Sequence, residues 1–393
     1  MGNMYRSADT FLTNEENMFL QILRKHLHKS QVDLQENKVD WIALNEIALK
    51  HQMQAIVHYQ CKSFTDKQFF PAYAAQISAY SNMYVLVREI DELLCNYKHI
   101  FFKGVKVSSF YPVPQLRSMG DIDMLIYPDD KEEICKLLQK SGYECFDQAR
   151  NVWCYRKRGI LFEVHHNLLH DESSTDSLNT FFSQVWDYVN DEGELDWNFH
   201  FLYLLVHLRH HLTGKGVGFR QFYDIAVLSE YCSLDWNWIQ KKAKEISLEA
   251  FLQTVLKLNE NWFGTTVPYD CNEIEESVFE QITYLVFKNG VFGFNNDDIC
   301  QSELSRMVIN TGNDISYSRA HYILRTIFPP YYQMVRKPYC SYLKKTAILL
   351  PVAWIHRWLK RSISKRSWNS LSHRLMVDKN AENRINLLKQ LGL

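Results

Sequence analysis

The hydrophobic period of this chain changes twice, and that change constrains the fold more than any single motif does. Residues 14 to about 98 carry apolar side chains at three- and four-residue spacing, as in WIALNEIALKHQMQAIVHY (Trp41 to Tyr59) and ISAYSNMYVLVREIDELLCNY (Ile77 to Tyr97), with Pro71 expected to break the run between them. After Lys98 the pattern shortens. HIFFKGVKV (His99 to Val107) and SMGDIDMLIY (Ser118 to Tyr127) read as strands, the second ended by Pro128. Asp129 and Asp130 open an amphipathic helix that Gly142 caps. ECFD, VWCYRKR and ILFEVHHNL (Ile160 to Leu168) read as three more short strands. From about Leu178 helices return in FHFLYLLVHLRHHL (Phe199 to Leu212) and FRQFYDIAVLSEYC (Phe219 to Cys232), separated by Gly214, Gly216 and Gly218. The expected organisation is a helical segment over 1–98, a strand-rich α/β module over 99–170, and a mostly helical region over 171–393.

With 393 residues and 46% hydrophobic content there is ample material for two or three packed domains. A net charge of -1 does not describe a general polyanion binder. Nine cysteines, an odd number with no CxxC pair, read as reduced thiols of a cytoplasmic protein. The first residues carry no apolar signal core, and Arg6 stands where a myristoylation signal wants Ser or Thr. The most apolar run, TAILLPVAWIHRWL (Thr346 to Leu359), is too short to span a bilayer.

One strand carries unusual charges. Asp121 and Asp123 are two apart in GDIDMLI and so share a face, their Cβ atoms roughly 6–7 Å apart. Two carboxylates converging to about 4 Å repel by about 4 kcal/mol at an effective dielectric of 20. Solvation at a strand end relieves that repulsion, and so does a hard divalent cation such as Mg²⁺. The neighbours favour the cation. Gly120 leaves room for a ligand, Arg117 is placed to meet a phosphate, and Glu163 sits in the apolar strand ILFEVHH, where a lone carboxylate is costly. If the two strands are adjacent, three carboxylates meet, a set suited to two metal ions and in-line attack on phosphorus.

The run FFKGVKVSSFYPVPQLRSMGDIDMLIYPDD, followed by GYECF and GILFEVHHNL, resembles the uncharacterised bacterial nucleotidyltransferases of the DNA polymerase β-like superfamily. More distantly it is similar to the nucleotidyltransferase-like toxins of abortive-infection systems. The resemblance implies an α+β fold, with a small mixed-sheet core flanked by N- and C-terminal helical segments. It implies that Asp121, Asp123 and Glu163 bind Mg²⁺ or Mn²⁺, and that Glu163 also activates the acceptor. It implies that Lys103 and Gly104 begin the nucleotide-binding element and that Arg117 is the Arg preceding the acid pair. Where the wider superfamily has Gly-Ser shortly before the acids, this chain has Gly104-Val105.

His165 shares the face of Glu163 and is expected beside the site. His207 and His211 are four apart on one helix. They read as packed polar groups rather than a zinc pair; a middle reading has His210 or His211 reach the site, either behind another residue or as a phosphate contact. Arg220 and Asp224 have the spacing of an intrahelical ion pair. Between Tyr331 and Val377 there are ten Lys and Arg and no acid, with Trp354, Trp358 and Trp368 interleaved. This stretch reads either as a basic face paired within the protein or as a contact for RNA or an anionic membrane surface.

The resulting expectation is a metal-dependent enzyme that transfers a nucleoside monophosphate from a nucleoside triphosphate to a hydroxyl or phosphate acceptor. The alternatives are a catalytically silent nucleotide-, RNA- or partner-binding protein on the same fold, and a toxin-like enzyme modifying tRNA or protein.

Overall fold

Local signals open the first helices. Thr13 and Glu16 form a reciprocal capping box at the start of α1 (Asn14–Leu27), whose apolar face buries Phe19, Ile22, Leu23 and Leu27. Asp40 accepts from the Ile42 and Ala43 amides to start α2 (Trp41–Lys50). The periodic run through Tyr59 is not one helix. Gln52 takes a left-handed turn (φ 56), and α3 (Gln54–Gln60) follows. Pro71 also departs from expectation, since it lies inside the 32-residue helix α4 (Lys62–Leu93). Proline forfeits one helical hydrogen bond, and burial of Phe69, Met83, Leu86 and Ile90 along the same helix offsets that loss.

The computed structural model describes residues 11–33, 39–148, 151–169, 175–214, 216–291, 308, 321, 324–325, 327–335, 337–344, 346–362 and 379–393. The residues through Thr10, Cys300, and Arg336, Lys345, Lys365, Arg366, Trp368 and Arg374 of the basic stretch lie outside them.

The α+β architecture expected from the sequence is present: one mixed five-stranded sheet with helices around it. The strands are β1 (His99–Phe102), β2 (Asp121–Ile126), β3 (Glu144–Gln148), β4 (Val152–Lys157) and β5 (Ile160–His165), in the order β1-β2-β5-β4-β3. Only β2 and β5 run parallel. The crossover between them is α6 (Lys131–Lys140) with β3 and β4. The first strand is shorter than the sequence suggested. It ends at Phe102, where Lys103 turns the chain (φ 52, ψ −127) into the short helix α5 (Gly104–Val107).

Strand alternation sorts the two faces of the sheet. Ile122, Met124 and Ile126 of β2 and Phe162 and Val164 of β5 point to one side. They pack there with Met83, Leu86 and Ile90 of α4 and Ile134 and Leu138 of α6. Asp121, Asp123, Glu163 and His165 are therefore left on the opposite face. After the sheet come α7 (Asp176–Ser183), α8 (Trp197–Thr213), α9 (Phe219–Tyr231), α10 (Trp236–Glu245), α11 (Glu249–Phe263) and α12 (Glu276–Asn289).

By contacts the chain divides into two units, one of Met1–Leu212, Gly216–Gly293 and Leu391–Leu393, the other of Thr213–Lys215 and Phe294–Gln390. The second contains the helices Tyr331–Met334, Leu350–Ser362 and Lys379–Gln390, with a small core of Met334, Cys340, Leu343 and Ala353. The eight described cysteines are free thiols. No described helix is long and apolar enough to cross a membrane.

Two buried histidines tie the first helices to α9. His26 Nδ1 lies 2.8 Å from the Tyr223 hydroxyl, and His51 Nδ1 accepts the Phe219 amide at 3.2 Å. Burial pulls the His26 pKa down to about 4; burial, then the Lys50 charge, pulls His51 down to about 3. Unfolding releases both rings toward the ordinary value near 6.5, so the unfolded chain binds more protons below that pH. The stability they confer is complete above about pH 6.5 and is lost as pH falls toward about 4 for His26 and about 3 for His51. Urea denaturation is expected to show a loss of roughly 2–4 kcal/mol between pH 7 and pH 5. A midpoint insensitive to pH over that interval would contradict the reading.

Candidate active site

The site is assembled by strand register. In the parallel pair β2·β5, Asp121 lies opposite Leu161, Asp123 opposite Glu163, and Leu125 opposite His165. One carboxylate oxygen each from Asp123 and Glu163 and one nitrogen of His165 all lie within 4.8 Å of one another. The sequence expected Asp121, Asp123 and Glu163 as the convergent trio. In the structure His165 joins Asp123 and Glu163 in that set, and Asp121 borders it.

Asp123 is the centre of the arrangement. It is buried, and its Oδ1 accepts from Lys103 Nζ at 2.7 Å and from His165 Nε2 at 2.9 Å. His165 Nε2 is also 3.4 Å from Glu163 Oε2. Burial disfavours the Asp123 charge, but Lys103 and His165 prevail and hold its carboxyl well below the usual range. Lys103 is shifted the opposite way for the same reason: burial opposes its charge, and Asp123 first among its neighbours raises it. Asp121 is pushed up to about 6, by the Asp123 charge and then by burial, with Glu163 adding and Lys103 and Arg220 opposing. The two aspartates, identical in sequence terms, therefore differ in character. Glu163, with a side chain 32% exposed, is the carboxylate most open to solvent in the set.

Lys103 reaches Asp123 because its backbone is bent. Its φ of 52 is unusual for a residue with a Cβ. The Lys103 amide donates to Nε2 of His200, at 3.0 Å, on α8. His200 is buried and stacked on Trp197, and burial, then the nearby Lys106, Lys103 and Arg117 charges, lower its pKa to about 3. A neutral ring with an accepting Nε2 is what the amide requires. Phe102 packs beneath, its ring 5.0 Å from His165 and 5.5 Å from Tyr203.

The sequence reading overlooked His200 and Tyr203. Their signal was visible as a polar stripe at 200, 203, 207 and 211 along an otherwise apolar helix. Of the three histidines in HLRHH, His207 lies in electrostatic reach of Lys103 and His165, and its Nε2 is 3.0 Å from Nε2 of His211. His210 sits farther along, its ring 6.0 Å from that of His211.

Arg117 is engaged structurally. Its Nε and one terminal nitrogen donate to the two oxygens of Asp224, at 2.8 and 2.7 Å, and the Tyr111 hydroxyl donates to the same carboxylate at 2.7 Å. The Arg220–Asp224 helix pair suggested by spacing is replaced by this longer-range one. Arg220 instead donates to Gln52 and to Ser118. Gly104 serves the same cluster, since a Cβ there would lie 2.5 Å from an Arg117 terminal nitrogen. Gly120 is different: a Cβ there would meet nothing within 4 Å. A cleft of about 800 Å³ lies elsewhere, lined by Asp91, Lys98, His99, Lys106 and Glu194 and by none of the site carboxylates.

A small mixed sheet with paired carboxylates on adjacent strands and a buried lysine beside them is consistent with a small nucleotidyltransferase core. The sequence model of a family described as uncharacterised nucleotidyltransferases matches residues 37–264. That is more than half of the chain, and the protein belongs to this family. No curated protein and no solved structure matches it.

The Arg117–Asp224 pair is buried on both sides. Asp224→Asn leaves the guanidinium without a counter-charge and is expected to cost about 3–5 kcal/mol in urea denaturation. A loss below about 1 kcal/mol, the range of exposed pairs, would refute the structural role.

Proposed function

We propose that this protein transfers a nucleoside monophosphate from a nucleoside triphosphate to a hydroxyl or phosphate acceptor, with pyrophosphate as the leaving group. The observation that carries this reading is the convergence of Asp123, Glu163 and His165 within 4.8 Å on two parallel strands. Hard carboxylate oxygens suit Mg²⁺ or Mn²⁺, and the donor set accommodates such an ion, with Asp123 and Glu163 as its holders and Asp121 beside them. When bound, the cation supplies charge neutralisation at the transferring phosphoryl group.

The side chains have separable roles. Asp123 stays ionised because Lys103 and His165 donate to it. His165 Nε2, facing both Asp123 and Glu163, fixes their relative placement. The Lys103 ammonium is a positive charge held at the edge of the acid cluster, where a triphosphate would be drawn. Glu163, the exposed member, is placed to take the acceptor proton. The acceptor oxygen then forms a bond to the α-phosphorus as the bond from that phosphorus to pyrophosphate breaks. In this reading Gly104 serves the donor side by letting the chain pack against Arg117.

Calorimetric titration of the four nucleoside triphosphates with Mg²⁺ tests the reading directly. At least one is expected to bind in a metal-dependent manner. Glu163→Gln, which removes one holder of the cation as well as the proposed base, is expected to weaken metal-dependent nucleotide binding and to lower pyrophosphate release by at least about 10²–10⁴, the span of a lost general base. Binding with no turnover for any acceptor, unchanged in the variant, would favour the silent-binding alternative. No binding of any nucleotide would overturn the proposal.

A further inference from the structure

The helix Leu350–Ser362 has apolar side chains on two faces, one packed inward and one exposed. Inward, Ala353 is fully buried against Met334, Cys340 and Leu343. Trp354 Nε1 donates to the Pro329 carbonyl at 2.8 Å, and Trp358 Nε1 and Arg357 donate to the Ile327 carbonyl at 3.1 and 3.3 Å. Outward, Ile348 is 86% exposed, Val352 51%, Ile355 62% and Leu359 63%. Their spacing of four, three and four makes a single stripe along the helix and the turn before it. Trp358, 48% exposed, borders it. A contiguous exposed stripe of large aliphatic groups marks an interaction surface.

Charge identifies the partner. The 331–377 stretch of sequence that contains these residues holds ten Lys and Arg and no acid. Lys337 and Lys360 are exposed, and the Lys360 ammonium rests 4.4 Å over the Tyr339 ring. RNA would use the charges and leave Ile348, Val352 and Ile355 in water. A second copy would bring two basic segments together. An anionic bilayer surface uses both features, taking the aliphatic stripe among its acyl chains and the cations at its headgroups, with Trp at the boundary. We infer that the Leu350–Ser362 helix lies in the plane of an anionic membrane surface and seats the protein there through Ile348, Val352, Ile355 and Leu359. This anchoring is independent of the proposed transfer chemistry.

Vesicle flotation of the full chain tests it. The protein is expected to float with phosphatidylcholine vesicles containing phosphatidylglycerol at least about tenfold better than with phosphatidylcholine alone, and less well as salt rises. Val352→Asp/Ile355→Asp, at two exposed positions, is expected to lower partitioning by roughly a hundredfold with an unchanged circular dichroism spectrum. If that variant fails to fold, Val352→Asn/Ile355→Asn should show the same direction of change. Three results would each overturn the inference: no flotation of the native chain, flotation that the variants retain, or a native dimer that the variants convert to monomer. Tight binding of a single-stranded oligoribonucleotide by native protein and variant alike, with vesicles ignored, would assign the basic segment to RNA instead.

Discussion

The site depends on one buried ion pair, Lys103 with Asp123. Removing two charges from water is costly, and attraction repays the cost only when the geometry is good and the remaining polar atoms are satisfied. Here the repayment is distributed. His165 donates a second hydrogen bond to the same Asp123 oxygen, Phe102 lies under the ammonium, and His200 holds the Lys103 amide so that the strained turn persists. The parallel register then fixes Glu163 opposite Asp123. Each element of the acid cluster is therefore positioned by the need to keep one buried carboxylate charged.

A second buried pair does for the scaffold what the first does for the site. Arg117 sits four residues before Asp121 and is clamped bidentately by Asp224 of α9, with Tyr111 donating to the same carboxylate. The segment leading into β2 is thus fastened to a helix more than a hundred residues later. Gly104 completes the contact, because only a residue without a Cβ lets α5 approach the guanidinium so closely. The arginine that looked like a phosphate ligand is spent on rigidity, which leaves Lys103 as the cation within hydrogen-bond reach of the acid cluster.

Much of this was legible in the chain. The change of period located the sheet, and strand alternation put Asp121 and Asp123 on one face and Glu163 and His165 on another that register made common. What escaped was long-range. Lys103 read as the middle of a strand because apolar residues flank it in HIFFKGVKV; its turned amide is held by His200, 97 residues away. Asp224 has Arg220 at helix spacing, and local pairing was the natural reading, but a bidentate arginine from another element outcompetes an intrahelical contact worth a few tenths of a kcal/mol. Pro71 read as a breaker because propensity is local, whereas the burial that carries α4 through it is tertiary.

The family match, residues 37–264, takes in helices on both sides of the sheet as well as the sheet itself. A sheet of residues 99–165 carries the carboxylates, yet cut free it would lack the acceptor for the Lys103 amide and the counter-charge for Arg117. Both come from α8 and α9, and α9 is in turn held by His26 and His51 from the first helices. The smallest unit in which Asp123 keeps its partners at the observed distances is therefore the sheet together with the helices on both sides of it. The Leu350–Ser362 helix lies outside that matched range and belongs to the second unit, so the purpose inferred for it does not depend on the chemistry at Asp123.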